Sequence, residues 1–311
     1  MRSALLLCGG ALVVAVAASA VPANAAEPQS TSVKSTAAKA SAATPPTAAT
    51  QYTLRYKLHS GEELRTRVSQ LATIETTISG STQSTQMISL STKLWRVKNV
   101  DAAGNITFEH SVETVDMRNE MSGRQEIRYN SQTDKKAPPG YEDVAKSLNT
   151  TLAVVTIDPA GTVLSREEKH RPAIDASGSV LVVPLPKQPA AIGCVWTLPN
   201  EVTVPLEDGT VKKIETRLRY ELEEVKDGIA TISVETQILT PVDNPKVRAQ
   251  LIQRLWSGQI RFDIDAGRMV GQRTDLDERV LSFSGPESAM HYVARFTEEL
   301  LPSEAKTAAL R

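Results

Sequence analysis

The sequence predicts an α+β fold that is predominantly antiparallel β: a curved sheet or incomplete barrel, built from two diverged internal repeats, with a few helices packed on one face. Three observations carry this. From Tyr52 onward apolar and polar residues alternate with a period of two, the signature of strands with one buried face. Turn residues, Asp and Gly above all, separate the alternating runs at hairpin spacing. Two long stretches also match each other block by block.

Composition narrows the function classes first. Among 311 residues, 35 Lys+Arg face 36 Asp+Glu, a formal net charge of −1, which excludes a basic nucleic-acid binder. A 41% hydrophobic and 23% charged content is that of a globular chain. Aromatics at 4% leave no stacking platform for bases or sugars. Two cysteines exclude a disulfide scaffold, and no Cys/His cluster has zinc spacing.

The first 25 residues read as an export signal. Arg2 begins it, Ala4 to Val21 is uncharged and apolar, and Ala23-Asn24-Ala25 places cleavage before Ala26. The alternative is an uncleaved anchor, the one route to membrane contact. Cleavage removes Cys8 and leaves Cys194 as the sole thiol, so no intramolecular disulfide forms. The expected location is therefore periplasmic or extracellular. Residues 26–50, nearly all Ala, Ser, Thr, Pro and Lys, lack the apolar periodicity to offset ordering entropy and read as a disordered linker.

The β-rich region spans 51–302. Tyr52, Leu54, Tyr56 and Leu58 share one face of a strand, and Ser60-Gly61-Glu62 breaks it. Leu64, Thr66 and Val68 resume the alternation. Leu94 to Val100, the turn Asp101 to Asn105, and the returning face Ile106, Phe108, His110 and Val112 make a hairpin. The run Tyr220 to Thr236 parallels that hairpin, and both close on Ser-Val-Glu-Thr, at Ser111–Thr114 and Ser233–Thr236. A second pair of blocks follows, Val155 to Val163 and Arg261 to Val270, each with an Ala-Gly turn. The pseudo-repeats cover about 51–170 and 190–283.

Helices are expected between the blocks. Tyr141 to Leu148 is the first. The second has Asn244 as N-cap, Pro245 at its first position and Gly258 past its end, with Val247, Leu251, Ile252 and Leu255 as its apolar stripe. A C-terminal helix over 286–301 would turn Met290, Val293, Ala294, Thr297, Leu300 and Leu301 inward, and 303–311 would fray as a tail.

Candidate chemistry is sparse. No nucleophile elbow, zinc-helix, Walker or dinucleotide-binding motif occurs. His110, on an apolar strand face, reads as a hydrogen-bonded structural histidine, and His170 as part of a solvated charged loop. Cys194 reads as a small buried hydrophobe. Asp263 and Asp265, with Asp275 and Asp277, are candidate calcium ligands because paired carboxylates on one strand face supply several oxygens. Asp158 and Asp265, each before Ala-Gly, instead suggest turn chemistry, leaving Asp263 without a counterpart. No cofactor is implied.

Tyr52-Thr-Leu-Arg-Tyr-Lys-Leu-His-Ser-Gly-Glu-Glu-Leu, the D-x-x-G hairpin and Ile157-Asp-Pro-Ala-Gly-Thr-Val resemble an exported bacterial β-rich domain family of unknown function, over residues 52 to 301. The looser likeness, at the level of fold, is to the periplasmic lipoprotein carriers, whose half-barrel shelters an apolar cavity. The resemblance implies an envelope protein and supplies no site residues. The expected function is a non-enzymatic binding or interaction protein of the envelope, with an envelope protein or a hydrophobic ligand as partner. The alternatives are a carrier of lipid or acyl chains and a hydrolase with its site at His110, His170 or a carboxylate pair. In the carrier, Trp95, Trp196 and Trp256 should sense the ligand.

Overall fold

The computed structural model describes residues 50–170, 182–206 and 209–302. The export signal, all of the linker but Thr50, and the tail at 303–311 lie outside the described residues.

A two-residue strand β1 (Gln51–Tyr52) is followed by β2 (Glu63–Ile78), β3 (Ser81–Val100), β4 (Ile106–Met121) and the short β5 (Ile127–Asn130). Helix α1 (Glu142–Ser147) leads to β6 (Ala153–Ile157), β7 (Val163–Glu168) and the two-residue β8 (Ala190–Ala191). The second half contains β9 (Val195–Pro205), β10 (Val211–Lys226), β11 (Ile229–Ile238) and α2 (Pro245–Leu251), continued by a 3₁₀ turn, Ile252–Arg254. Strands β12 (Ser257–Asp263), β13 (Arg268–Leu281) and β14 (Ala289–Leu300) complete it.

Twelve strands form one sheet in the order β7-β6-β4-β3-β2-β14-β13-β12-β11-β10-β9, with β5 beside β4, and every pairing is antiparallel. The sheet is curved and does not close. Its free edges are blunted against further pairing: β9 carries Pro199 and Pro205, and β7 ends in Arg166-Glu167-Glu168.

Curvature brings one face of the sheet against itself. Val97, Phe108 and Val155 from one half share a cluster with Leu222, Ile232 and Phe262 from the other. The gap between the halves is filled by the stretch after β1. Leu54, Tyr56 and Leu58 are buried there, the face read from the sequence, but the stretch joins no ladder. Two hairpin turns hold it instead. Tyr56 N–H donates to Pro159 O (2.8 Å) in the β6–β7 turn, and Lys57 N–H donates to Gly267 O (2.9 Å) in the β12–β13 turn. Tyr56 also bonds through its hydroxyl to Val183, in the segment that precedes β8.

The matched sequence blocks fall on the hairpins β3–β4 and β10–β11 and on the turns β6–β7 and β12–β13, which run in the same direction along the sheet. That is agreement in order; it does not by itself make the halves repeats of one another.

The C-terminal helix expected over 286–301 is instead β14. Its apolar residues satisfy both periods, and position decides between them. Strands β2 and β13 offer β14 a ladder on each side, which meets backbone donors and acceptors along its whole length. Met290, Tyr292, Ala294, Phe296, Glu298 and Leu300 then face inward. The second helix starts as expected, with Asn244 Oδ1 accepting from Lys246 N–H at 2.9 Å, but it ends at Leu251 and tightens to 3₁₀. Gly258 is not a helix terminator. It sits in β12, where a Cβ would lie 2.0 Å from Arg273 O. The first helix forms within its expected bounds.

Gly161 and Gly267 have positive φ, and an added Cβ would lie 2.5 Å from Val183 O in the first case and 2.4 Å from Lys57 Cβ in the second. Gly161→Ala and Gly267→Ala are each expected to destabilise by about 3 kcal/mol, from left-handed strain plus overpacking. Gly209→Ala, at a similar φ with nothing within 4 Å, should lose only about 1 kcal/mol. Urea denaturation midpoints of the three variants check this ordering.

Candidate functional site

The inner face is covered unevenly. Near β4, helix α1 and β5 cap it through Val115, Tyr129 and Val144. On the other side α2 packs on β9 and β10 through Val247 and Leu251, and the 3₁₀ turn places Ile252 against Leu276, Val280 and Tyr292 of β13 and β14. Between these two covers runs the floor made by the outer halves of β2 and β3. Cross-strand register assigns Val68, Gln70, Ala72 and Ile74 to the inner face of β2, opposite Ser91, Ser89, Met87 and Thr85 of β3. Met117 of β4 and Phe296 of β14 border them.

Among the described residues this floor is left only partly covered, a trough between the two covers. Ala72 and Ile74 reach the cluster under the 3₁₀ turn and Met117 reaches the cluster under α1, while Val68, Met87 and Phe296 belong to neither. Phe296 is only half-buried and Met87 is 40% exposed. The stretch Val68 to Thr92 carries a single charge, Glu75, in a protein that is 23% charged, where about six would be average. Glu75 lies on the outer face. Small side chains at Ala72, Ser89 and Ser91 keep the middle of the floor low. From Val68 to Thr76 the trough is about 27 Å long at strand rise.

At its inner end the apolar floor stops at a buried ion pair. Glu298, 1% exposed, accepts from Thr66 Oγ1 (2.8 Å), Gln272 Nε2 (2.8 Å) and Lys93 Nζ. Burial pushes the Glu298 carboxyl up, but the Lys93 charge and these three hydrogen bonds outweigh it and leave its pKa below the ordinary value. The Lys93 ammonium also lies 5.7 Å from the Trp95 ring centroid, and Trp95 stacks on Phe108 (4.2 Å, 18°). Beside Glu298 is a cavity of about 30 Å³ lined also by Tyr56, Leu64, Thr66, Trp95, Val183, Arg268, Met269 and Leu300.

His110 lies directly across from Trp95. Burial, then the Lys93 and Arg166 charges, lowers its pKa to about 3, so the ring is neutral. The expectation of a hydrogen-bonded structural histidine is corrected in one respect: Nε2 is buried without a partner. His170 is exposed after the edge strand β7, its Nδ1 3.1 Å from Thr151 O. The two histidines stand on different surfaces, one buried on the inner face and one in solvent.

The four candidate aspartates do not converge. Asp263 Oδ1 accepts from Ala266 N–H (2.8 Å), Asp275 pairs with Arg273 and Arg295 (2.8 and 2.6 Å), and Asp277 accepts from His291 Nε2 (2.7 Å). Among the described residues no group of three or more His, Cys, Asp or Glu could hold a metal ion. The turn role is also reassigned. In the first hairpin Asp158 accepts from Ala160 and Thr162 N–H, as read, but in the second it is Asp263, not Asp265, that does so. Cys194 is partly buried against the main cluster. Trp196 stacks on Tyr220 and Trp256 lies between the main cluster and that of the 3₁₀ turn, so of the three tryptophans only Trp95 stands at the end of the trough.

Two measurements follow from the ion pair and its histidine. Lys93→Met strands a buried carboxylate and is expected to destabilise by about 3–5 kcal/mol, whereas Lys93→Met with Glu298→Gln should regain most of it; chemical denaturation of both variants compares them. For His110, the folded state takes up a proton only near pH 3 while the unfolded ring does so near its ordinary 6.5. Stability should therefore fall by about 2 kcal/mol between pH 7 and pH 5. Glu298 contributes above the ordinary glutamate value and loses that contribution only below it, outside this window. Denaturation at both pH values should show the slope in the native chain and its loss in His110→Gln.

No protein-family model matches this chain, and no curated protein matches it as a relative. Among solved structures it is similar to lipovitellin, in a study of lipid–protein interactions in that protein, at 11% identity and a TM-score of 0.42 over 82% of this chain. The match covers 27% of the lipovitellin chain, so this chain spans about a quarter of it. It is also similar to DynF from the dynemicin biosynthesis pathway of Micromonospora chersina (7% identity, TM-score 0.20, 83% of this chain and 88% of that one). The translocator domain of the autotransporter NalP from Neisseria meningitidis gives 9% identity and a TM-score of 0.16, over 78% and 89% of the two chains. At these values the likenesses carry no argument about ligand or activity. Among the described residues no helix is long and apolar enough to cross a membrane.

Proposed function

We propose that this chain is an exported, non-enzymatic binding protein of the bacterial envelope that takes an elongated apolar ligand along the trough of its inner face. The observation that carries the reading is the inner-face floor of β2 and β3, where Val68, Ala72, Ile74 and Met87 lie among the uncharged Gln70, Thr85, Ser89 and Ser91 between two helical covers. An apolar surface left open inside a curved sheet gains free energy from any apolar partner that displaces its water, at about 25 cal/mol per Å². Export is supported by Arg2, the apolar run and Ala23-Asn24-Ala25.

The mode of holding follows from the space available. The cavity of about 30 Å³ takes a water molecule or a group of that size, and an alkyl chain needs far more. The ligand is therefore held in the open trough, with one side accessible, and not swallowed in an enclosed pocket. The non-enzymatic reading is supported by His110, which is neutral and buried without a carboxylate partner, and by the dispersal of the aspartates into turns and outer-face ion pairs.

The chain purified from its native envelope should carry a reproducible extra mass in native mass spectrometry, extractable into organic solvent. Addition of an acyl ligand should shift tryptophan emission, because Trp95 stands at the trough's inner end. Ser89→Arg, a change on a half-exposed floor position, should weaken ligand binding at least tenfold and shift stability by less than about 0.5 kcal/mol. A bare mass together with unchanged emission would overturn the reading.

A further inference from the structure

Three polar groups at the inner end of the trough are incompletely used by the fold. Trp95 Nε1 and His110 Nε2 are buried without hydrogen-bond partners, on residues directly opposite each other across β3 and β4. Lys93, on the same face as Trp95 and 12% exposed, gives a hydrogen bond to Glu298, one of the three its ammonium can donate. Trp95 and Glu298 both line the cavity of about 30 Å³. Native folds rarely leave buried polar groups unpaired, and of the four such atoms among the described residues two stand on this one cross-strand pair, Trp95 lining the cavity, which points to a partner that comes from outside the chain.

Charge decides what that partner is. The Lys93 ammonium is already balanced by Glu298, and Arg268, which also lines the cavity, by Glu62. A further anion here would be a charge with no counterion of its own, which burial penalises heavily. A neutral carbonyl oxygen accepts from Trp95 N–H and from a spare Lys93 N–H without that penalty. Its size also fits the cavity, which has no room for the chain that follows it.

Building on the trough reading above, we propose that its inner end is a head-group site for a neutral carbonyl, which makes the ligand class an ester- or amide-linked acyl chain and not a free fatty-acid anion.

The test is displacement of the neutral dye N-phenyl-1-naphthylamine from the full exported chain at pH 8, with three competitors of equal chain length. These are 1-monolauroylglycerol, its ether analogue 1-dodecylglycerol, which lacks the carbonyl, and laurate. The ester is expected to displace the dye at a concentration at least tenfold lower than either of the others. Trp95→Phe, which keeps an aromatic ring on Phe108, should abolish the preference over the ether. Equal displacement by ester and ether, or laurate binding as tightly as the ester, would overturn the head-group site while leaving the trough reading standing. A preference that survives in Trp95→Phe would overturn it as well. If that variant does not fold, the comparison of ester with ether in the native chain decides. Failure of the dye and all three competitors to bind would remove the trough reading itself.

Discussion

The fold depends on a stretch of chain that joins no sheet. A twelve-stranded sheet that curls without closing has two halves whose apolar faces must meet, and backbone twist alone leaves a gap between them. The stretch Leu54 to Leu58 fills that gap. Its side chains enter the main cluster from between the halves, and its backbone is held by Pro159 O from one hairpin turn and Gly267 O from the other. Those carbonyls can reach the chain because Gly161 and Gly267 present no Cβ at the contact. A short insert bonded to one turn from each half thus sets the distance between halves that are otherwise joined by the β2–β14 ladder.

That wedge also explains why the inner face is tight at one end and open at the other. At the wedge, Tyr56, Leu64, Trp95 and Leu300 leave a cavity of only about 30 Å³. Farther along, β2 and β3 extend past the wedge, and among the described residues α1 and α2 with its 3₁₀ turn approach them, one from each side. The Lys93–Glu298 pair marks the boundary. A buried pair contributes little net stability and is strongly unfavourable when broken, so it is better understood as fixing how β14 joins β2 and β3. Thr66 and Gln272 complete the carboxylate's bonds only in that register.

What the sequence made legible was local. Alternation at Leu94–Val100 and Ile106–Val112, the Asp101 turn, and Asn244-Pro245 at a helix start are each decided within a few residues, and each is found in place. The misreadings arise where two local rules agree with the residues and the neighbours choose. Residues 286–301 suit either period until two waiting ladders select the strand. Gly258 looks like a helix terminator until β13 approaches it. Asp263 and Asp265 are indistinguishable until the turn shows which carboxylate reaches Ala266 N–H. The site was the least legible part. Lys93 and Glu298 are 205 positions apart and nothing in either neighbourhood announces a pair, since a lone Glu among strand residues ordinarily faces water. One signal was available: the absence of charge from Thr76 to Thr92, the longest such run in the β-rich region.

That run is best understood against the outer face of the same sheet. There charge is plentiful and cross-linked: Glu63, Arg65, Arg96 and Glu113 form one network, and Arg273, Asp275 and Arg295 another. Such ladders keep a broad sheet soluble and discourage stacking on another copy. The floor between α1 and α2 has none of this protection, although a single Lys or Glu in place of Ser89 or Ser91 would supply it at little cost to folding, since both are half-exposed. That this surface stays uncharged, small in its middle and closed by buried donors at one end supports the proposed occupant. Packing within the chain accounts for the clusters under the two helices. Among the described residues it does not cover Met87 and Phe296, the surface on which the proposed ligand would lie between those clusters.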